Sequence, residues 1–308
     1  MTLLLKSDAE RAGEWTRLLA VKAPELPFRV WPDIGDPADI RYLAAWIPPD
    51  DLRGLFPNLE VLFSVGAGVD QLNLADLPPG LPIVRMIEPG LVDSMVEYVT
   101  MAVLALHRDL VPYIAAQRSQ AWAPLRIRPA FERRVGILGL GALGKACARA
   151  LAGFGFDVAG WSRSRHQVEG VSAFAGDAEL PDFLARTDIL VCLLPLTDAT
   201  RGLLGAELFA RLPRGAMLVN AGRGGHLDQQ ALLAALDSDQ LAAAVLDVCE
   251  PEPLPAGHPL WVHPKVLITP HIASRSRSEA SLDAIIENLR RHRAGEPLIG
   301  LIDRQRGY

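Results

Sequence analysis

Six residues, Gly139-Leu-Gly141-Ala-Leu-Gly144, leave this chain few folds to choose from. They follow directly on the apolar run Arg134-Val-Gly-Ile-Leu138 and open an apolar helical stretch, 142–154. A strand that turns on glycines into a helix is the geometry of a dinucleotide cradle. Gly139 permits the tight turn, Gly141 lets backbone approach a pyrophosphate, and Gly144 allows helix and strand to pack closely. The first N–H groups of the helix, at Ala142, Leu143 and Gly144, then face the phosphates. Glycine spacing alone is a weak sign, because such turns also arise for structural reasons. The strand before it and the helix after it give the motif its meaning.

The rest of the chain repeats the same alternation. Residues 2–6, 28–31, 40–46, 60–65 and 82–86 read as strands, with an amphipathic helix over 10–21. A second series runs through 134–138, 157–161, 188–194, 216–220, 241–248 and 266–269, mostly separated by helical segments. Each series should form a mostly parallel sheet. At 308 residues and 50% hydrophobic, the chain can bury two cores. The expectation is α/β: two doubly wound parallel-sheet domains, Rossmann-like or flavodoxin-like, with the active-site cleft between them. An apolar helix over 92–110 should cross between the domains, and a last helix over 278–294 should return to the first. The boundaries expected are 1–96 with 277–308 for a discontinuous substrate domain, and 97–276 for the dinucleotide-binding domain.

Composition narrows the setting. No apolar run is read as long enough to cross a bilayer, and Met1-Thr-Leu-Leu-Leu-Lys-Ser lacks the features of a secretory signal, so a cytoplasmic protein without a membrane partner is expected. The formal charge is −5, with no dense basic block, which argues against nucleic acid. Arg290-Arg-His-Arg293 reads as a solvated helix end. Cys147, Cys192 and Cys249 fall in apolar segments without metal-ligand spacing and read as reduced core residues; no metal is expected.

The segment after the second strand of the cradle selects the cofactor. An acid there would accept bonds from the ribose 2′-hydroxyl of NAD; this chain has Trp161-Ser-Arg-Ser-Arg-His166, with no acid before Glu169. Ser162, Arg163 and Ser164 suit a 2′-phosphate, so NADPH is expected, with NADH weaker. Beyond the cradle come Asn220-Ala-Gly-Arg223-Gly224, Asp247-Val-Cys-Glu-Pro-Glu252-Pro and Thr269-Pro-His271, each ending a strand. The carboxyl edge of a doubly wound sheet is where ligands bind. Arg223 can grip a carboxylate in two parallel bonds. A carboxylate at Glu252 beside the imidazole of His271 favours the charged form that protonates a carbonyl oxygen as hydride arrives. The combination points to chemistry on small 2-hydroxy or 2-oxo acids.

These segments, together with Leu194-Pro-Leu-Thr197, resemble in order and separation those of the D-2-hydroxyacid dehydrogenases, over nearly the whole chain. Within that family the chain is most similar to bacterial members that reduce glyoxylate and hydroxypyruvate, through Trp161-Ser-Arg-Ser164, Pro253-Leu-Pro255, Pro259-Leu-Trp261 and the tail 302–308. The resemblance implies an NADPH-dependent reductase working as a homodimer. It makes His271 the proton donor, Glu252 rather than Glu250 its partner, and Arg223 the substrate anchor. Further cofactor contacts are implied at Leu194, Pro195, Ala221, Gly222 and Asp247, the last as holder of the nicotinamide carboxamide. Val65, Gly66, Ala67 and Gly68 resemble the substrate loop, whose consecutive N–H groups form an anion nest.

Trp46 is a candidate pocket wall, although for Trp46 and Trp122 alike a place in the core or in a dimer contact explains a large aromatic equally well. Cys249 stands where many relatives carry an aromatic residue, and His226 reads as a loop residue rather than a second acid. Two other readings remain: a non-catalytic dinucleotide sensor like the corepressors that resemble this family, and a dehydrogenase of different preference. Among the latter, phosphoglycerate dehydrogenases usually carry an appended domain for which this chain has no length, and formate dehydrogenases carry Gln at the Glu252 position.

Overall fold

Two parallel sheets organise the computed structural model, which describes residues 2–66, 68–69, 71–274 and 276–304. The chain divides into two compact units, Met1–Leu91 with Arg275–Tyr308, and Val92–Ser274.

In the first unit, strands β1 (Thr2–Lys6), β2 (Phe28–Val30), β3 (Ile40–Ala45), β4 (Val61–Ser64) and β5 (Ile83–Val84) form a sheet in the order β2-β1-β3-β4-β5. That is the flavodoxin-like doubly wound order. The period of two along each strand explains why it is buried on both sides. Leu3 and Leu5 of β1, with Tyr42 and Ala44 of β3, point into one cluster; Leu4, Leu43 and Ala45 point into the other. Helix α1 (Ala9–Lys22) covers the first face with Trp15 and Leu19, and the short α2 (Leu52–Leu55) contributes Leu52 to the second. The α1 N-terminus is fixed by Asp8, whose carboxylate accepts from Arg11 N–H at 2.8 Å.

Helix α3 (Pro89–His107) carries the chain from the first unit into the second, and α4 (Leu110–Arg118) follows it. The single helix expected over 92–110 is thus broken at Asp109, which adopts a left-handed φ of +55°. Contrary to the sequence expectation, 90–107 is apolar and long enough to span a bilayer by composition. It is instead a core helix of the second unit, burying Met95, Val99, Ala102, Val103 and Leu106.

The second sheet runs β12-β11-β10-β9-β6-β7-β8. Its strands are β6 (Arg134–Leu138), β7 (Asp157–Ser162), β8 (Ser172–Ala175), β9 (Ile189–Cys192), β10 (Ala216–Asn220), β11 (Leu241–Leu246) and β12 (Val266–Ile268), all paired in parallel. Chain order reverses beside β6, the switch point of a Rossmann sheet. β8, a strand the sequence reading did not foresee, adds the outer edge beyond β7. Helix α5 (Ala142–Gly153) packs on one face with α3, and α6 (Gly176–Ala185), α7 (Ala206–Arg211) and α8 (Gln229–Asp237) on the other.

Helix α9 (Ser278–Ala294) lies in the first unit, setting Leu282, Ile285 and Leu289 against the same cluster as Leu3, Leu5 and Trp15. Its basic end is less plainly solvated than expected. Arg290 pairs with Glu287 and Glu296, but His292 Nδ1 lies 3.2 Å from the Tyr42 hydroxyl. Trp122 is 99% exposed, which rules out the core as the reason for it, and the three cysteines are free and buried.

One ion pair ties two central strands together at their amino ends. Asp188, just before β9, accepts from Arg134 N–H at 2.9 Å and from its guanidinium at 2.8 and 3.2 Å. Burial works against the charge, yet the Arg134 hydrogen bonds hold the Asp188 carboxyl below the usual carboxylate range. A lowered folded value means stability that is present above the unfolded pKa and is lost as pH falls through the folded one. Asp188→Asn is therefore expected to lower the urea unfolding free energy by about 1 kcal/mol at pH 7, the modest size reflecting a partner open to solvent. The deficit should narrow as pH drops below about 4; a deficit of constant size would contradict the assignment.

Candidate active site

Every candidate residue of the second unit lies at or beyond the carboxyl end of a strand. The glycine turn follows β6, Ser162 to Ser164 end β7, Leu194 and Pro195 follow β9, and Ala221 to Arg223 follow β10. Asp247 and Glu252 follow β11, and His271 follows β12. Because all these strands are parallel neighbours, residues separated by 132 positions in the chain emerge along one edge.

The glycine turn is built for close backbone approach. A Cβ on Gly144 would fall 1.8 Å from the Gly139 carbonyl oxygen, and Gly139 itself sits at φ +103°. Around Gly141 a Cβ would meet nothing within 4 Å. Gly141 is also the N-cap of α5 and offers no side chain to accept from the first helical N–H groups, which fits an incoming phosphate. At the end of β7, Ser162 Oγ donates to the Ser164 carbonyl at 2.8 Å, and Arg163 is exposed. Arg165 points elsewhere, donating to the Ala173 carbonyl at 2.7 Å and pairing with Glu179.

Arg223 sits in a loop with almost no slack. Asn220 Nδ2 donates to the Arg223 carbonyl at 3.1 Å, and the Arg223 N–H donates to Nδ1 of His226, a fully buried imidazole, at 3.0 Å. A Cβ on Gly224 would lie 1.9 Å from the Cys249 carbonyl oxygen, so only glycine lets the loop pass. His226, which sequence reasoning treats as a loop residue, thus shapes the backbone at Arg223.

The acid and the imidazole meet. His271 Nδ1 lies 2.8 Å from Glu252 Oε2, both side chains being 38% exposed, while Glu252 Oε1 accepts from the Cys249 N–H at 3.0 Å. Glu250 is turned away and pairs with Arg201 at 3.1 Å. His271 takes a left-handed φ of +52°, unusual for a residue with a side chain. Its N–H donates to the Asp247 carbonyl at 2.8 Å.

Asp247, only 2% exposed, holds the loop after β12. Its Oδ1 accepts from the Thr269 hydroxyl at 2.6 Å and the Ile272 N–H at 2.9 Å, and its Oδ2 from the Ala273 N–H at 2.8 Å. Sequence reasoning gave Asp247 to the cofactor and missed these bonds. Burial pushes the Cys249 thiol up to about 11, with Glu252 and Asp247 adding to the shift, so Cys249 is no thiolate nucleophile. Among the described residues no group of His, Cys, Asp or Glu side chains is placed to hold a metal ion.

In the first unit, the 65–68 loop follows β4 and Trp46 follows its neighbour β3. The Trp46 ring comes within 2.3 Å of where a Gly66 Cβ would stand. Ser64 Oγ donates to the Gly68 carbonyl at 3.1 Å and accepts from the Gly66 N–H at 3.4 Å, so one amide of the expected nest already has a partner. Val65 is buried, and Ala67 lies outside the described residues, as do Asp70 and residues 305–308 of the tail.

The profile of the D-isomer specific 2-hydroxyacid dehydrogenase NAD binding domain matches residues 100–273. The chain belongs to the D-isomer specific 2-hydroxyacid dehydrogenase family. Among relatives of this family, it is 40% identical to glyoxylate/hydroxypyruvate reductase A of Yersinia enterocolitica, with 100% of both chains covered. A solved structure of a D-isomer specific 2-hydroxyacid dehydrogenase from Xanthobacter autotrophicus Py2, in complex with NADPH and MES, is 44% identical with a TM-score of 0.95, covering 100% of this chain and 99% of that one. The NADPH-dependent glyoxylate/hydroxypyruvate reductase of Sinorhizobium meliloti, in complex with NADP and sulfate, is 37% identical with a TM-score of 0.92, covering 100% of both. The matched residues 100–273, the family's NAD binding domain, fall within the second unit.

Proposed function

We propose that this dehydrogenase reduces small 2-oxo acids, glyoxylate to glycolate and hydroxypyruvate to D-glycerate, with NADPH as donor. The observation that carries the reading is the 2.8 Å bond between Glu252 and His271 on the same sheet edge as an open glycine cradle. The full-length likeness to glyoxylate/hydroxypyruvate reductases gives it a substrate class.

NADPH would supply the hydride. Gly139 to Gly144 would take its pyrophosphate, Ser162, Arg163 and Ser164 its 2′-phosphate, and Leu194, Pro195, Ala221, Gly222 and Asp247 would complete the cofactor side. Arg223 grips the substrate carboxylate and polarises the adjoining carbonyl. His271, as imidazolium, donates the proton to the carbonyl oxygen while hydride reaches the carbon, and then recovers a proton from water. Glu252 orients the imidazole through Nδ1 and stabilises its charge. Excluding water during the step strengthens each of these contacts.

We also place the enzyme in the cytoplasm, consistent with three unpaired buried thiols, and assign it a homodimeric state. Trp122, Ile127 and Phe131, exposed by 99, 74 and 73%, are large apolar side chains on the segment after α4, and they suit contact with a second copy of the chain. Replacing Ile127 with Asp should shift the mass measured by light scattering toward that of a monomer; an unchanged dimer would place the contact elsewhere.

Loss of reduced-nicotinamide absorbance tests the function. NADPH should be oxidised with glyoxylate or hydroxypyruvate faster than NADH, and Arg163→Asp should cut the NADPH-to-NADH efficiency ratio about tenfold or more, the scale of one lost charge-assisted contact. An unchanged ratio would remove Arg163 from the cofactor site. Tight NADPH binding without turnover on any 2-oxo acid would favour a non-catalytic sensor.

A further inference from the structure

His271 is held by more than Glu252. The loop that carries it is bonded from the side by helix α3, whose residues Ser94 and Tyr98 lie four apart and so share a face. Ser94 Oγ donates to the Ala273 carbonyl at 3.2 Å, and the Tyr98 hydroxyl lies 2.5 Å from Thr269 Oγ1.

The direction of the second bond follows from counting protons. Asp247 only accepts, so the single proton of the Thr269 hydroxyl goes to Asp247 Oδ1 at 2.6 Å. Tyr98 must then be the donor to Thr269. Its hydroxyl is fit for that role, since burial pushes its pKa up to about 12 and it keeps its proton across the working range of an enzyme. With the Tyr98 proton aimed at Thr269, the Thr269 proton has nowhere to turn but Asp247. The carboxylate is thereby fixed to accept from Ile272 and Ala273, the two residues after His271.

We propose that Tyr98 and Thr269 are positioning residues for His271. Through Asp247 they hold the backbone of 271–273, with His271 in the left-handed conformation that delivers its imidazole to Glu252. The catalytic consequence rests on the reductase reading above; the positioning itself does not. Nothing in a helix-forming apolar run calls for a tyrosine hydroxyl, and Tyr98 as a residue is only 7% exposed. Its partner is the loop.

The test compares Tyr98→Phe, Thr269→Val and Thr269→Ser with the wild type, using histidine-labelled protein. The Cε1–H resonance of His271 is assigned by its loss in His271→Ala. In Tyr98→Phe and Thr269→Val this resonance should move, and kcat with glyoxylate should fall about tenfold to a hundredfold, the cost of a misplaced group, while NADPH affinity is retained. Thr269→Ser, which keeps the hydroxyl, should restore both, a rescue that general loosening of the fold would not give. An unmoved resonance in Tyr98→Phe overturns the proposal, as does equal disturbance in Thr269→Val and Thr269→Ser. If the resonance follows the expected pattern but the wild type reduces no 2-oxo acid, the positioning stands and the reductase reading falls.

Discussion

The Asp247 carboxylate is the interaction on which the active edge depends. It lies almost wholly out of water, where a polar group is tolerated only if it is hydrogen-bonded. Three donors from the segment 269–273 bond it, two at Oδ1 and one at Oδ2, and the Asp247 backbone contributes further: its carbonyl accepts from the His271 N–H, and its N–H donates to the Asn220 carbonyl. One residue just after β11 therefore joins the strand end that leads to Arg223 to the loop that carries His271. The strain of a left-handed histidine is sustained by this network, as backbone strain at functional sites generally is.

The parallel sheet supplies the coarse positions that this network refines. Parallel pairing sends every strand end to the same edge, so a cradle, an arginine, an acid and an imidazole far apart in sequence can act on one molecule. Side chains alternating along the strands, Leu218 to one face and Val219 to the other, anchor those ends in core on both sides. The rigidity matters because catalysis is sensitive to displacements of about 1 Å. Gly224, pressed against the Cys249 carbonyl, and His226, bonded to the Arg223 N–H, do for the arginine what Asp247 does for the histidine.

Much of this was legible in the chain itself. Strand periodicity, the glycines at 139, 141 and 144, and polar residues ending apolar runs are local signals, and both sheets could be read from them. Less local features could not. β8 is short and half-exposed and lacks the apolar run that marks a buried strand. The break at Asp109 turns on one left-handed residue inside an otherwise helical pattern. Tyr98 is an ordinary aromatic in an apolar helix until its partner 171 positions away is known; a hydroxyl on a buried face was the one available hint. The bonds that Asp247 makes to the loop after β12 could not be read either, because nothing in its neighbours' identities reveals that backbone N–H groups meet its carboxylate.

The central claim is that His271, held by Glu252 and by the Asp247 loop, gives up the proton that accompanies hydride transfer. Its most direct test is a single turnover: NADPH oxidation by saturating glyoxylate, followed by stopped flow in the wild type and in His271→Ala, with NADPH affinity measured in both. The account requires a rate about a hundredfold or more lower in the variant, the usual weight of a general acid, with affinity for NADPH unchanged. A variant that oxidises NADPH at close to the wild-type rate would contradict it.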